Sequence, residues 1–141
     1  MKKIFISSDH AGYKLKEDIK VYLKKRNYNF TDLGPINDNR VDYPDFAHKV
    51  AKKVKINRNH LGILVCGSGM GMNIAANRHK NIRAAQCFNL KSTKLSRLHN
   101  DANIITLGSR LLKKKNVMNM INVFLKTKFE GGRHVKRIKK I

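Results

Sequence analysis

Residues 60–67 read HLGILVCG, and residues 68–78 continue SGMGMNIAANR. The first stretch is a short apolar run of the kind that helices cover on both faces, so it predicts a buried parallel strand. Glycines at 67, 69 and 71 then interrupt it and open a helix. The same alternation extends in both directions. Upstream, KKIFISS (2–8) reads as a buried strand, and Leu15, Ile19, Tyr22 and Leu23 follow at helical spacing. YNFTDL (28–33) is a second strand, closed by Gly34-Pro35. Pro44 suits the first turn of a helix patterned by Phe46, Ala47, Val50, Ala51 and Val54. Downstream, IRAAQCF (82–88) and NIITL (103–107) are short strands on either side of a helix over 90–100. Val117, Ile121, Phe124 and Leu125 pattern a further helix, and a short, very basic one ends the chain.

Five strands alternating with helices predict right-handed crossovers. The fold class is α/β: a three-layer α/β/α sandwich on a five-stranded parallel sheet, Rossmann-like, with a C-terminal basic helix. Residues 1–141 form one domain, without repeats, low-complexity segments or linkers.

Composition narrows the function classes. The chain is 41% hydrophobic with 2 Pro and 9 Gly, enough for a core and unlike a disordered tail. No apolar run nears the roughly 20 residues that span a bilayer. The opening MKKIFISSDH is too short for a signal peptide and reads as the first strand. Cys66 and Cys87 give neither a disulfide framework nor metal-type spacing, so the default compartment is a reducing cytoplasm. Thirty-one Lys and Arg against nine Asp and Glu leave a net charge of +22. Such an excess raises nucleic acid as a partner, but no helix-turn-helix, RRM signature or aromatic–basic interleaving accompanies it. Its spread among many Asn and Ile residues fits a codon bias, leaving nucleic-acid binding as a non-specific side property. A basic background also attracts a phosphorylated small molecule.

In such folds ligands sit at the carboxyl ends of strands. The first strand ends in Ser8-Asp9-His10-Ala11-Gly12, an acid beside an imidazole ahead of a small-residue turn. Asp9 suits a sugar hydroxyl and equally a helix N-cap. The third strand ends in Cys66-Gly67-Ser68-Gly69-Met70-Gly71, neither a dinucleotide fingerprint nor a P-loop. Its glycines let several amides converge beside a helix N-terminus, which binds a phosphate or stabilises an oxyanion. At the strand's end the helix dipole favours a Cys66 thiolate, although most free cysteines are small buried hydrophobes. Cys87, inside a strand pattern, is assigned to the core.

His99, late in a helix, reads as a capping charge or a surface residue. His48, His60, His79 and His134 show neither an HExxH motif nor an i, i+4 partnership, and no metal site is predicted. Arg110 follows the fifth strand. Arg133 and Arg137, four apart on a helix face, suit a phosphate dianion or belong to a solvated basic face with Lys136, Lys139 and Lys140.

Five ordered stretches carry a resemblance over the whole chain: SSDHAG (7–12), DYPDFA (42–47), CGSGMGMNIAANR (66–78), RLHNDANIITLGSR (97–110) and EGGRHVKRI (130–138). Together they resemble the ribose/galactose isomerase family, in particular its type B ribose-5-phosphate isomerases. The resemblance implies interconversion of D-ribose 5-phosphate and D-ribulose 5-phosphate in the pentose phosphate pathway, without metal or organic cofactor. By analogy Cys66 is the base that moves a proton between C1 and C2 through a cis-enediolate. Amides of Gly67, Ser68, Gly69, Met70 and Gly71 stabilise the enediolate oxygen, and the Ser68 hydroxyl assists. His99 opens the furanose ring, Asp9 holds the sugar, Asn100 binds hydroxyls and Tyr43 lines the pocket. His10, Arg133 and Arg137 take the phosphate, with Arg110 nearby. One branch of the family carries a loop glutamate where this chain has Met72, which places the chain in the cysteine branch. The resemblance further implies a homodimer, or a tetramer of paired dimers, with sites shared between subunits. A hexose 6-phosphate, galactose or allose, is the alternative substrate.

Overall fold

The computed structural model describes residues 2–141. Five strands are present: β1 (Lys3–Ser8), β2 (Phe30–Asp32), β3 (His60–Cys66), β4 (Ala84–Gln86) and β5 (Ile104–Gly108). They alternate with α1 (Tyr13–Lys25), α2 (Tyr43–Val54), α3 (Met70–Ala76), α4 (Leu90–Asn100), α5 (Lys114–Lys126) and α6 (His134–Ile138). All strand pairs are parallel, in the order β2-β1-β3-β5-β4. The expected three-layer sandwich on a five-stranded parallel sheet is therefore present.

The sheet splits its side chains by the two-residue period of a strand. Ile4, Ile6, Leu61, Ile63, Val65, Ile105 and Leu107 face α1 and α5, against Leu15, Ile19, Leu23, Val117, Ile121 and Phe124. Phe5, Leu64, Cys66 and Ile104 face α2 and α3, against Val50, Ala51, Val54, Met72 and Ala76. Met72 is fully buried in this second layer. Gly62 sits within β3 because a Cβ there would lie 2.8 Å from Val50 and Ile104.

Helix α4 lacks a strong apolar stripe and instead buries Thr93, Ser96 and Arg97. A capping box starts it: the Ser92 amide donates to Asn89 Oδ1 at 2.8 Å, and the Asn89 amide donates to Ser92 Oγ at 3.2 Å. The other unexpected burial is Lys16, fully covered on α1. Its Nζ donates to both Asp32 oxygens at 2.9 Å and to the Pro35 carbonyl at 2.7 Å. Burial works against the Asp32 carboxylate, but hydrogen bonds from Lys20, Lys16 and the Gly34 amide outweigh it and hold the group below the usual carboxylate range.

Candidate active site

From β1 the chain goes to one side for β2, then crosses to the other side of β1 for β3. The crevice between the carboxyl ends of β1 and β3 is thus the topological switch point, where open α/β sheets bind ligands. A cavity of about 320 Å³ opens there, lined by Asp9, His10, Ala11, Tyr43, Cys66, Gly67, Ser68, Gly71, Arg110 and Leu111. It adjoins a second depression through Asp9, His10 and Tyr43 that reaches Arg40 and Asp42.

Cys66, 4% exposed, ends β3 with its side chain on the α2/α3 side. The Gly69 amide donates to its Sγ at 3.1 Å, which requires Gly69 in the left-handed region at φ +78°. The Met70 amide donates to Ser68 Oγ at 3.2 Å. Two of the five loop amides are thus engaged within the loop, and Gly69 and Met70 do not line the cavity. The loop is also gripped from behind. Gln86 on β4 donates to the Ser68 carbonyl at 2.6 Å. The amides of Ser109 and Arg110 donate to the carbonyls of Cys66 and Gly67 at 2.8 and 3.0 Å.

Close approach explains two glycines. A Cβ on Gly67 would sit 2.8 Å from the Arg110 guanidinium, and one on Gly71 would sit 2.5 Å from the Tyr43 ring. Arg110 and Tyr43 thus lie across the loop's open side. Across the crevice, Asp9 accepts from the Gly12 amide at 3.0 Å, so it caps the turn into α1 while lining the cavity. It is not the helix N-cap that its position also suggested: Gly12 holds that place, without a side-chain cap. The Val41 amide donates to His10 Nδ1 at 3.3 Å, which leaves Nε2 as the nitrogen that carries hydrogen in the neutral ring.

Besides Gly69 and Met70, four expected site residues do not line this cavity: His99, Asn100, Arg133 and Arg137. The register of β5 shows why. Gly108, at its end, pairs with Cys66, whereas Ile104, at its start, pairs with Gly62. His99 and Asn100 end the helix that feeds β5, so they lie at the opposite end of the sheet. The segment after α5 returns there, where the Glu130 amide donates to the Leu98 carbonyl at 3.1 Å. His134 then stacks on His99 with ring centroids 4.4 Å apart and planes tilted by 16°. The Glu130 carboxylate lies 3.8 Å from His99 Nε2 and 3.7 Å from His134 Nε2.

No HExxH motif or i, i+4 histidine pair is expected, and the pairs the fold makes are of another kind, since His48 Nδ1 also meets His79 Nε2 at 2.7 Å. Both pairs join segments that are remote in sequence. His99, Glu130 and His134 have the residue types of a metal site. A metal bound to both rings must lie about 2.0–2.1 Å from each nitrogen and near both ring planes. Stacked, nearly parallel rings offer no such point in this arrangement.

The family model for ribose/galactose isomerases matches residues 4–141. The chain belongs to the ribose/galactose isomerase family. Among the family's solved structures, ribose-5-phosphate isomerase B from Clostridium thermocellum is 47% identical, with a TM-score of 0.95 over 98% of this chain and 93% of that one. The Mycoplasma genitalium enzyme, solved with bound ribulose-5-phosphate, is 46% identical with a TM-score of 0.94, over 98% and 92% of the two chains. Ribose-5-phosphate isomerase B of Escherichia coli is 40% identical over 100% of this chain and 95% of that one. In this member of the ribose/galactose isomerase family, sequence reading missed Gln86, which resembled an ordinary strand residue, and Ala11 and Leu111, whose only signal was adjacency to Asp9-His10 and Arg110.

Proposed function

We propose that this protein interconverts D-ribose 5-phosphate and D-ribulose 5-phosphate, with Cys66 as the base. The observation that carries the reading is a buried cysteine at the switch-point cavity, its sulfur held by the glycine loop and faced by Asp9, His10 and Arg110. In the open-chain aldose, Cys66 takes the C2 proton while the C1 carbonyl becomes the enediolate oxygen. With Gly69 and Met70 engaged inside the loop, the amides of Gly67, Ser68 and Gly71 are the donors for that oxygen. The proton returns to C1, and the Ser68 hydroxyl passes a proton from O2 to O1, leaving a carbonyl at C2. A positioned base contributes ~10²–10⁴ in rate, and each oxyanion donor roughly 10²–10³.

The ring-opening His99, the hydroxyl-binding Asn100 and the phosphate-binding Arg133 and Arg137 come in this reading from a second copy of the chain. Their place at the far end of the sheet from Cys66 supports this, because one protomer cannot bring the two groups together. His10 and Arg110 complete the phosphate site from the cavity's own protomer.

The test is ribulose 5-phosphate formation from ribose 5-phosphate by EDTA-treated protein, beside a Cys66→Ala control. Turnover by wild type and a folded, inactive variant support both substrate and base. Activity retained in Cys66→Ala removes Cys66 as the base. Turnover of galactose or allose 6-phosphate in place of the pentose phosphate overturns the substrate.

A further inference from the structure

We infer that Glu130 and His134 are positioning residues that hold the His99 imidazole for opening of the furanose ring. The inference rests on the ring-opening role proposed for His99.

Three observations on one small cluster carry it. First, His134 is 5% exposed, yet its Nε2 has no hydrogen-bond partner among the described residues. A buried, unpaired ring nitrogen is costly and calls for a compensating role. Its ring instead supports the half-exposed His99 by stacking at 4.4 Å. Burial, then the charges of Arg133 and its neighbours, lower the proton affinity of His134, so it serves as a neutral platform. Second, Glu130 stands beside both Nε2 atoms at 3.8 and 3.7 Å. Its amide is tied to the carbonyl of Leu98, the residue before His99, so carboxylate and imidazole share one anchor. Third, Gly131 and Gly132 adopt φ +72° and +57°, and this tight turn brings Glu130 and His134 together.

The chemistry fits such a support. In ring opening, His99 accepts the proton of the anomeric hydroxyl, the C1–O4 bond breaks, C1 becomes a carbonyl and O4 takes the proton back. Between the two transfers the ring is a cation, which Glu130 faces and an aromatic platform also favours. Arg133, 3.9 Å from the other carboxylate oxygen, is the cation that competes for Glu130.

Proton exchange separates this role from a structural one. Ribose 5-phosphate closes into a furanose through its C4 hydroxyl. Ribulose 5-phosphate cannot close, because its C5 oxygen carries the phosphate. Only the aldose therefore needs ring chemistry, and the ketose exchanges its C1 proton through the enediolate without it. Isomerisation, and incorporation of deuterium at C1 of ribulose 5-phosphate in D2O, are to be measured for wild type, Glu130→Gln, His134→Ala and His134→Phe. Isomerisation kcat/KM is expected to fall at least ~10-fold in Glu130→Gln and His134→Ala, by the same factor in both directions because the equilibrium constant fixes their ratio. Deuterium incorporation should stay within about 3-fold of wild type. His134→Phe, which keeps the stack, should recover most of the isomerisation rate. Equal losses of isomerisation and exchange, or no loss of isomerisation, overturn the inference. A wild type inactive on both pentose phosphates instead overturns the proposed function, and this inference with it.

Discussion

The Gly69 amide donates to the Cys66 sulfur at 3.1 Å, so the loop that leaves β3 grips the side chain that ends it. The grip depends on a backbone that L side chains rarely adopt. A Cβ at Gly69 would add contacts near 3.0 Å to the backbone of Leu107 and Gly108. Gly69→Ala should cost about 1–3 kcal/mol of stability through backbone strain. It should also lower kcat more than it raises KM, because the sulfur shifts while the phosphate side stays. Denaturant unfolding with steady-state kinetics checks this, and unchanged kcat would detach the loop from the chemistry.

Gly67 tests the other side of the loop. A methyl group there collides with the Arg110 guanidinium, the flexible partner, which should swing off the cavity. A charge-assisted hydrogen bond contributes about 1.5–3 kcal/mol. Gly67→Ala should therefore raise KM for the sugar phosphate by roughly 10-fold or more, with little change in melting temperature.

Complementation tests the shared site directly. Cys66→Ala and His99→Asn chains should each be nearly inactive. Random mixing into dimers leaves half of them mixed, each with one intact site, so about one quarter of wild-type activity should return. No recovery after mixing, with exchange confirmed by mass, would place both residues in one protomer's site.

Removing the buried cation should destabilise the α1–β2 corner. Lys16→Met leaves Asp32 with Lys20 but takes away two hydrogen bonds and a carbonyl contact. Loss toward the lower end of the about 3–5 kcal/mol seen on breaking buried pairs is expected. Since Asp32 is held below its ordinary range, its contribution is present above about pH 4 and disappears as acid protonates it. Lys16→Met should accordingly flatten the acid limb of the stability curve.

A second pH effect belongs to the histidines. Burial, then His48, Lys55 and Lys52, lower the proton affinity of His79 in the folded chain. The unfolded chain binds that proton more readily, so stability is full above about pH 6.5 and falls as pH drops. Double protonation also leaves the His48–His79 contact without an acceptor. Melting temperature should drop between about pH 7.5 and 5.5, and drop less in His79→Gln.

Much of this architecture was readable because it is written in local periodicity. The run 60–67, the glycines after it and the helix faces of α1, α2 and α5 each declare themselves within a dozen residues. What escaped reading depends on distant partners. Lys16 looks like a surface cation until Asp32 and Pro35 close over it. Gln86 looks like a strand residue until it meets the Ser68 carbonyl. Likewise His134 and His99 are separated by β5, α5 and a turn, and only the return of the chain past Leu98 stacks them. The family motifs pointed to His99 and Arg133, but the end of the sheet on which they lie follows from the register of β5 and from the Glu130–Leu98 hydrogen bond.

That register gives the five-residue β5 the character of a gauge bar. One end is set against Cys66 and hands on Ser109 and Arg110 to brace the loop, while the other receives the chain from His99 and Asn100. Lengthening the bar by one residue would miscut two fittings at once, and its most buried stretch offers no slack to absorb the error.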